Sequence, residues 1–252
     1  HPVQSLSLFD LMGIAVHTGD ARLLEPRATL APEDLRACYS PYWWDSLSPW
    51  GRCAARVHRP ADADFATIND GLAMQWARTI AQHPGAYLAH RIKHFNSSLL
   101  FAVPLKHIRL TPEYRTDDPA FKPLEVVTPA DIQRDLLRKN PFVWPVTWLT
   151  WAGFLLWILA REQPTAAVLL ARVLAVSALG YSGAYLLIGV ATDMRYHYWT
   201  LLSVLLATLL VLPRLGDALR ARSAPLLWGV AGVGTVVGIG VGGGLPDFRG
   251  VM

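Results

Sequence analysis

From Val143 onward the 252-residue chain runs through blocks of about twenty residues that are almost free of charge. A helix of that length crosses a hydrocarbon core ~30 Å thick. Four spans are expected on this basis, at residues 143–160, 165–190, 198–212 and 225–244. Before Val143 the chain is charged, rich in Pro and strongly aromatic, which divides it into residues 1–142 and 143–252. The expected fold class is all-α: a polytopic membrane protein whose spans follow a mainly helical, loop-rich domain. An apolar fraction of 52% argues in the same direction, against a purely soluble protein.

The most informative interruption of the apolar blocks is Ala191-Thr-Asp-Met-Arg-Tyr-His-Tyr-Trp199, between the second and third spans. Charges beside a bilayer need a reason. Asp193 and Arg195 either pair with each other and anchor a helix at the headgroups, or face a charged ligand. Elsewhere in the bundle, Trp144, Trp148 and Trp151 share a face near the start of the first span, as an interfacial aromatic belt would. Arg172 lies slightly inside the second span, where a long stem can carry its charge back to the surface. Gly234, Gly238 and Gly242 recur every four residues and give the fourth span a smooth packing stripe.

In the N-terminal domain, residues 5–16 read as a short amphipathic helix with Leu6, Phe9, Met12 and Gly13 along one side. Asp10 lies inside it and is expected to be capped, paired or turned outward rather than chemically active. A brief helix is expected at residues 32–37. Between Cys38 and Cys53 stand Tyr39, Tyr42, Trp43, Trp44 and Trp50, with Pro41, Pro49 and Gly51 breaking any regular period. This is a rigid aromatic loop, suited to a small core of its own, to stacking on a sugar ring or to the headgroup layer. Cys38 and Cys53, fifteen residues apart, are better placed for a disulfide than for a metal, which implies an oxidising compartment.

A helix is expected over residues 65–82, with Ile68, Leu72, Trp76 and Ile80 spaced by four, ending at His83-Pro84. A second follows to about Phe101, with Leu88, Ile92, Phe95 and Leu99 on one side and Tyr87, Arg91, His94 and Ser98 near the other. That pattern suits a helix lying on a membrane surface. His90 and His94 are four apart, half of a zinc site, but no third ligand is identifiable and no metal is expected. The sequon Asn96-Ser97-Ser98 falls on this helix, which disfavours glycosylation, and Asp117 and Asp118 sit in a Pro-rich loop where acids are ordinarily solvated.

The net charge of +4 is dispersed, with no basic arm interleaved with aromatics, so nucleic acid is not an expected partner. The positive-inside rule is close to a tie: Arg161, Arg214, Arg220 and Arg222 are nearly balanced by Arg134, Arg138, Lys139, Arg195 and Arg249. The expected disulfide favours an extracytoplasmic N-terminal domain, with the 191–199 connector facing the same side. The start at His1 lacks the basic and apolar regions of a leader, so further sequence is expected upstream.

Asp193-Met-Arg-Tyr196, at the start of a late span, is similar to an Arg-Tyr element of bacterial GT-C superfamily glycosyltransferases that use polyprenyl-phosphate sugars. Trp76, His83-Pro84, Tyr87-Leu88, His90-Arg91 and Phe95 together resemble the juxtamembrane helix of bacterial members, and the Pro-Tyr-Trp-Trp-Asp centre of the Cys38–Cys53 stretch is also similar to them. The resemblance implies the C-terminal part of an integral-membrane enzyme that moves a sugar from a polyprenyl-phosphate carrier to an extracytoplasmic acceptor: a glycan, lipid or protein. It implies membrane lipid as a partner, a bacterial inner membrane and a periplasmic N-terminal domain. Asp193, Arg195, Tyr196, His197 and Arg91 would then serve the lipid-phosphate or substrate side. The family's catalytic acid lies in a first extracytoplasmic loop that this chain does not contain, and Asp10, Asp45 and Asp117 do not match its position. No catalytic residue and no cofactor are therefore expected within the chain, although the complete enzyme could use a divalent cation. The competing expectation is a non-enzymatic membrane assembly or scaffold subunit with a partner-binding extracytoplasmic domain. A transporter is less suited, because the spans lack buried ionisable residues and paired broken helices.

Overall fold

The computed structural model describes residues 2–25, 30–42, 44–48, 51, 53, 71–101, 141–220 and 232. Seven α-helices occur among them: α1 (Pro2–Thr18), α2 (Pro32–Cys38), α3 (Leu72–Gln82), α4 (Pro84–Leu99), α5 (Pro145–Leu159), α6 (Ala166–Ile188) and α7 (Tyr198–Arg220). No strand is present among the described residues, in keeping with the all-α expectation.

Helix α1 is buried over most of its circumference. Phe9, Leu11, Met12, Ile14 and Ala15 are all inside, which makes it a central element rather than a surface one. It packs against α3 and α4. Gly13 allows the closest approach, since a Cβ placed there would lie 2.2 Å from the His90 ring. The Cys38–Cys53 disulfide is formed and buried in the same core, with Leu24, Leu35, Tyr39, Leu47 and Leu72. Trp43 and Trp50 of the aromatic loop lie outside the described residues.

Helix α3 starts later than the four-residue spacing suggests. It begins at Leu72, after Gly71 at φ +79°, and Phe65 and Ile68 lie outside the described residues. His83 ends it, and Pro84 opens α4 at a position where its missing N–H costs no helical bond. Helix α4 stops at Leu100, whose φ of +53° is left-handed while its N–H bonds back to Asn96 and Ser97. A branched side chain in that region is strained by about 1–3 kcal/mol. The buried contact of Leu100 with Trp144 and Val146 compensates.

Helices α6 and α7 form an antiparallel hairpin. Ala171, Ala175, Ala178 and Ser182 on α6 face Thr200, Val204, Ala207, Val211 and Leu215 on α7, nearly all of them fully buried. Steps of four and three residues on both helices keep one seam in register, and small side chains let the backbones approach. Both helices are long and apolar enough to cross a membrane. Helix α7 runs eight residues beyond the expected end at Leu212, through Pro213. Arg214 Nη1 donates to Thr165 Oγ1 at 2.7 Å and Leu215 is buried, which fastens the extra turns.

The other expected spans stand differently. Helix α5 has 15 residues, ~22 Å at 1.5 Å per residue, short of a full crossing. Residues 225–231 and 233–244, with their Gly234, Gly238 and Gly242 stripe, lie outside the described residues, as do Asp117, Asp118 and the basic residues 134–139. Of the three Trp expected as a belt, one is enclosed and two are half-covered. Trp144 is fully buried beside Leu100, and Trp151 Nε1 donates to Thr208 Oγ1 on α7 at 2.9 Å. Trp148 and Trp151 are half-buried against the α5–α6–α7 core, with Trp148 Nε1 donating to the Phe142 carbonyl oxygen at 2.7 Å. Arg172 does reach toward the end of its helix, where it donates to the carbonyl oxygens of Leu159 and Glu162 and caps α5.

Candidate functional site: a polar seam between the N-terminal domain and the hairpin

The polar side of α4 faces inward. His90, Arg91, His94, Ser97 and Ser98 are all buried, so a helix with an apolar and a polar face has packed with its polar face against the protein. Two linked sets of polar groups follow from this.

The first set is centred on Asp10. Its Oδ1 accepts from His90 Nε2 at 3.1 Å and lies 2.7 Å from Arg91 Nη2, and its Oδ2 accepts from Trp76 Nε1 at 2.8 Å. His90 Nδ1 then accepts from the Tyr39 hydroxyl at 2.9 Å, which assigns the ring one consistent tautomer. Arg91 Nη1 donates to the carbonyl oxygen of Gly189, at the end of α6, at 2.6 Å. Asp10, His90 and Arg91 are essentially inaccessible to solvent. A charge in that setting is tolerated only when paired and hydrogen-bonded, and Asp10 has two hydrogen-bond donors, His90 and Trp76, and the Arg91 ion pair. Burial raises the pKa of Tyr39, with the Asp10 charge adding to it, so this hydroxyl is a donor and not a nucleophile. Burial also lowers that of His90 against the opposing pull of Asp10.

His94 is the neighbour of this set. Its Nδ1 donates to the Pro41 carbonyl oxygen at 2.9 Å, which leaves Nε2 unprotonated and without a hydrogen-bond partner beside Gly189. Burial, with the His90 and Arg91 charges adding, pushes its pKa down to about 3. His17 is pushed down to about 4, by burial first and then by Lys93 and His90. His90 and His94 do share a face, as their spacing requires. Their nitrogens go to Asp10, Tyr39 and Pro41, and among the described residues no group of three or more metal-ligating side chains is present.

The second set lies at the end of the hairpin. Thr200 Oγ1 donates to the Ala178 carbonyl oxygen, so Ser182 Oγ donates to Thr200 at 2.6 Å, and His197 Nδ1 donates to Ser182 at 2.9 Å. His197 Nε2 accepts from Ser98 of α4 at 2.8 Å. Every hydroxyl and both ring nitrogens are used, and all four side chains are fully buried. Thr192 Oγ1 adds a third tie between the parts, donating to the Tyr42 carbonyl oxygen at 2.6 Å.

The five residues singled out in the sequence therefore divide. Arg91 and His197 are internal and already engaged. Arg195, Tyr196 and Asp193 sit on the short 3₁₀ turn at the tip of the hairpin. Arg195 is 54% exposed, pairs with Asp193 at 3.1 Å and stands 5.2 Å from the Tyr196 ring centroid. Asp193 is held up in pKa by burial, with Arg195 opposing. Tyr185 lies 5.9 Å from Tyr196, and Tyr181 continues the row one turn further down α6. Sequence reasoning passed over Tyr39, Ser98, Ser182 and Thr200 as partners. Only the four-residue step from Ala178 to Ser182 on an apolar helix marks a hydroxyl pointing into a seam.

Comparison of the chain with protein-family models, curated proteins and solved structures finds no match. The class defined by the described residues is an all-helical protein with two helices of membrane-crossing length and a buried polar junction.

Proposed function

We propose that this chain is a membrane-embedded module in which α6 and α7 cross a bilayer and present Arg195 and Tyr196 to a lipid phosphate on the side of the disulfide-bonded domain. Support for the crossing comes from the outward surface of the hairpin. Leu169, Leu170, Val173, Val176, Leu187, Leu202, Leu205, Leu206, Leu209 and Leu212 are exposed. A soluble protein does not leave so large an apolar surface in water. The disulfide supports an oxidising, extracytoplasmic location for the N-terminal domain, periplasmic if the host is bacterial and the membrane its inner one.

The chemistry proposed is the C-terminal part of a GT-C-type glycosyltransferase, acting on a polyprenyl-phosphate-linked sugar with an extracytoplasmic acceptor. The observation that carries it is the exposed guanidinium of Arg195 at the tip of the hairpin, held by Asp193 and the Tyr196 ring. A planar guanidinium in that place can give two parallel hydrogen bonds to a phosphate and stabilise it as a leaving group. Arg195→Ala in the complete protein should lower turnover of the lipid-linked sugar about 10–100-fold, the loss of one or two charge-assisted bonds, with Arg195→Lys in between. Unchanged turnover in folded, inserted protein would remove Arg195 from this role.

A second reading, a non-enzymatic assembly subunit, is favoured by one observation. Asp10, His90, His94 and His197, the groups best suited to acid–base work, are sealed from solvent. Absence of any sugar transfer by the intact wild-type protein would favour it.

A further inference from the structure

Helix α4 carries its amphipathicity inside out. Its ionisable and hydroxyl residues His90, Arg91, His94, Ser97 and Ser98 are buried, while Leu88 and Ile92, one turn apart on the outer side, are each 53% exposed. Phe95 and Leu99 continue the same stripe at steps of three and four and are only partly covered. Leu99 and Phe101 pack beside Val143 and Trp144 at the start of α5, where Phe142 is 68% exposed. An outward stripe of Leu, Ile and Phe is thus continuous with the beginning of an apolar helix of the bundle.

The height of this stripe is fixed by the polar seam. Arg91 bonds the Gly189 carbonyl oxygen just beyond the last turn of α6, and Ser98 bonds His197 immediately before the first turn of α7. The middle and end of α4 are therefore tied to the ends of the two crossing helices, at the level where headgroups would lie. A helix fastened at that level with its apolar side outward has one fitting neighbour, the boundary between headgroups and acyl chains.

We infer that the Leu88–Ile92–Phe142 surface is immersed in the same bilayer leaflet that α6 and α7 leave, so that the N-terminal domain rests on the membrane through α4. This rests on the reading of α6 and α7 as crossing helices. The domain is then held from two sides, by hydrogen bonds to the hairpin and by burial of the stripe in lipid, and the Arg195 tip is kept at headgroup height.

The test uses the full chain in phosphatidylcholine vesicles, with an environment-sensitive fluorophore on a cysteine introduced at one of three exposed positions. These are Ile92→Cys, Val176→Cys at mid-height on α6, and Glu33→Cys on α2 as the water-facing control; the native cysteines are bridged and do not label. The vesicles carry nitroxide lipids with the spin label either shallow or deep in the acyl chain. The expected result is a label at position 92 quenched at least twofold more by the shallow nitroxide than by the deep one, the reverse order at position 176, and no quenching at position 33. A label at 176 quenched while that at 92 is open to aqueous iodide overturns this inference and leaves the hairpin reading standing. Quenching at neither position overturns the hairpin reading and this inference with it. A label at 92 shielded from both iodide and nitroxide lipid assigns the stripe to protein, a second copy or another segment, and likewise overturns immersion.

Discussion

At the scale of single residues, Asp10 is the group on which most others depend. Among the described residues it is the only carboxylate that meets His90, Arg91 and Trp76 together. Asp10→Asn keeps the shape but leaves the Arg91 guanidinium buried without a counter-charge, which should cost about 3–5 kcal/mol. Denaturant unfolding of the detergent-solubilised protein measures this. Arg91→Met added to Asp10→Asn should recover much of the loss, since removing both charges also removes the unpaired one; equal instability of the single and double variants would show that the pair itself carries no such weight. The sequence made it legible that an acid inside an apolar helix needs a partner. It did not make legible which, because His90 and Arg91 are about eighty positions away and nothing in a single sequence links them.

Among the elements, α1 and α4 cross with no room for a side chain at Gly13. The His90 ring occupies the space a side chain at position 13 would take, and that ring is fixed by bonds at both nitrogens. Gly13→Ala should therefore destabilise by about 1–3 kcal/mol through overpacking, seen as a lower midpoint in a thermal melt followed by circular dichroism. At this scale the helices were largely readable: apolar periodicity, Pro84 and the charge-free blocks locate α1, α4, α6 and α7 to within a few residues at most ends. Two things were not. The direction in which α4 turns its faces depends on what it packs against, and period alone assigns an apolar stripe without saying whether protein or lipid covers it. Trp148 and Trp151 likewise share a face by spacing, but the packing of α6 and α7 against α5 half-covers both rings.

For the whole molecule, the seam makes folding sensitive to acid. His94 is neutral in the folded protein, with its pKa pushed down to about 3, whereas in the unfolded chain it takes a proton near 6.5. Its folded pKa being depressed, the unfolded state binds more protons below 6.5, and stability present above that pH is lost as the pH falls toward the folded value. His94 alone should cost up to ~1.4 kcal/mol per pH unit across that window. His17 acts in the same direction with less weight because it is partly solvated, as does His90. The groups facing His94, namely His90 and Arg91, disfavour a further positive charge there, and Asp10 is already committed to His90, Trp76 and the Arg91 ion pair. Unfolding midpoints should change little between pH 8 and 7 and fall from about pH 6.5 to 5, and His94→Phe should flatten that slope while lowering the midpoint at pH 7.5. A slope unchanged by that substitution would place the acid sensitivity elsewhere.

The ties that close the N-terminal domain onto the hairpin join residues far apart in the order of synthesis: Arg91 to Gly189 across 98 positions, Ser98 to His197 across 99, and Tyr42 to Thr192 across 150. On a growing chain, the early domain must wait with Arg91 and Ser98 lacking these partners until the end of α6 and the turn beyond it have been made. Its final form is set by a part of the molecule that emerges later, so a fault in placing the hairpin is felt first as an unfinished domain a hundred residues upstream.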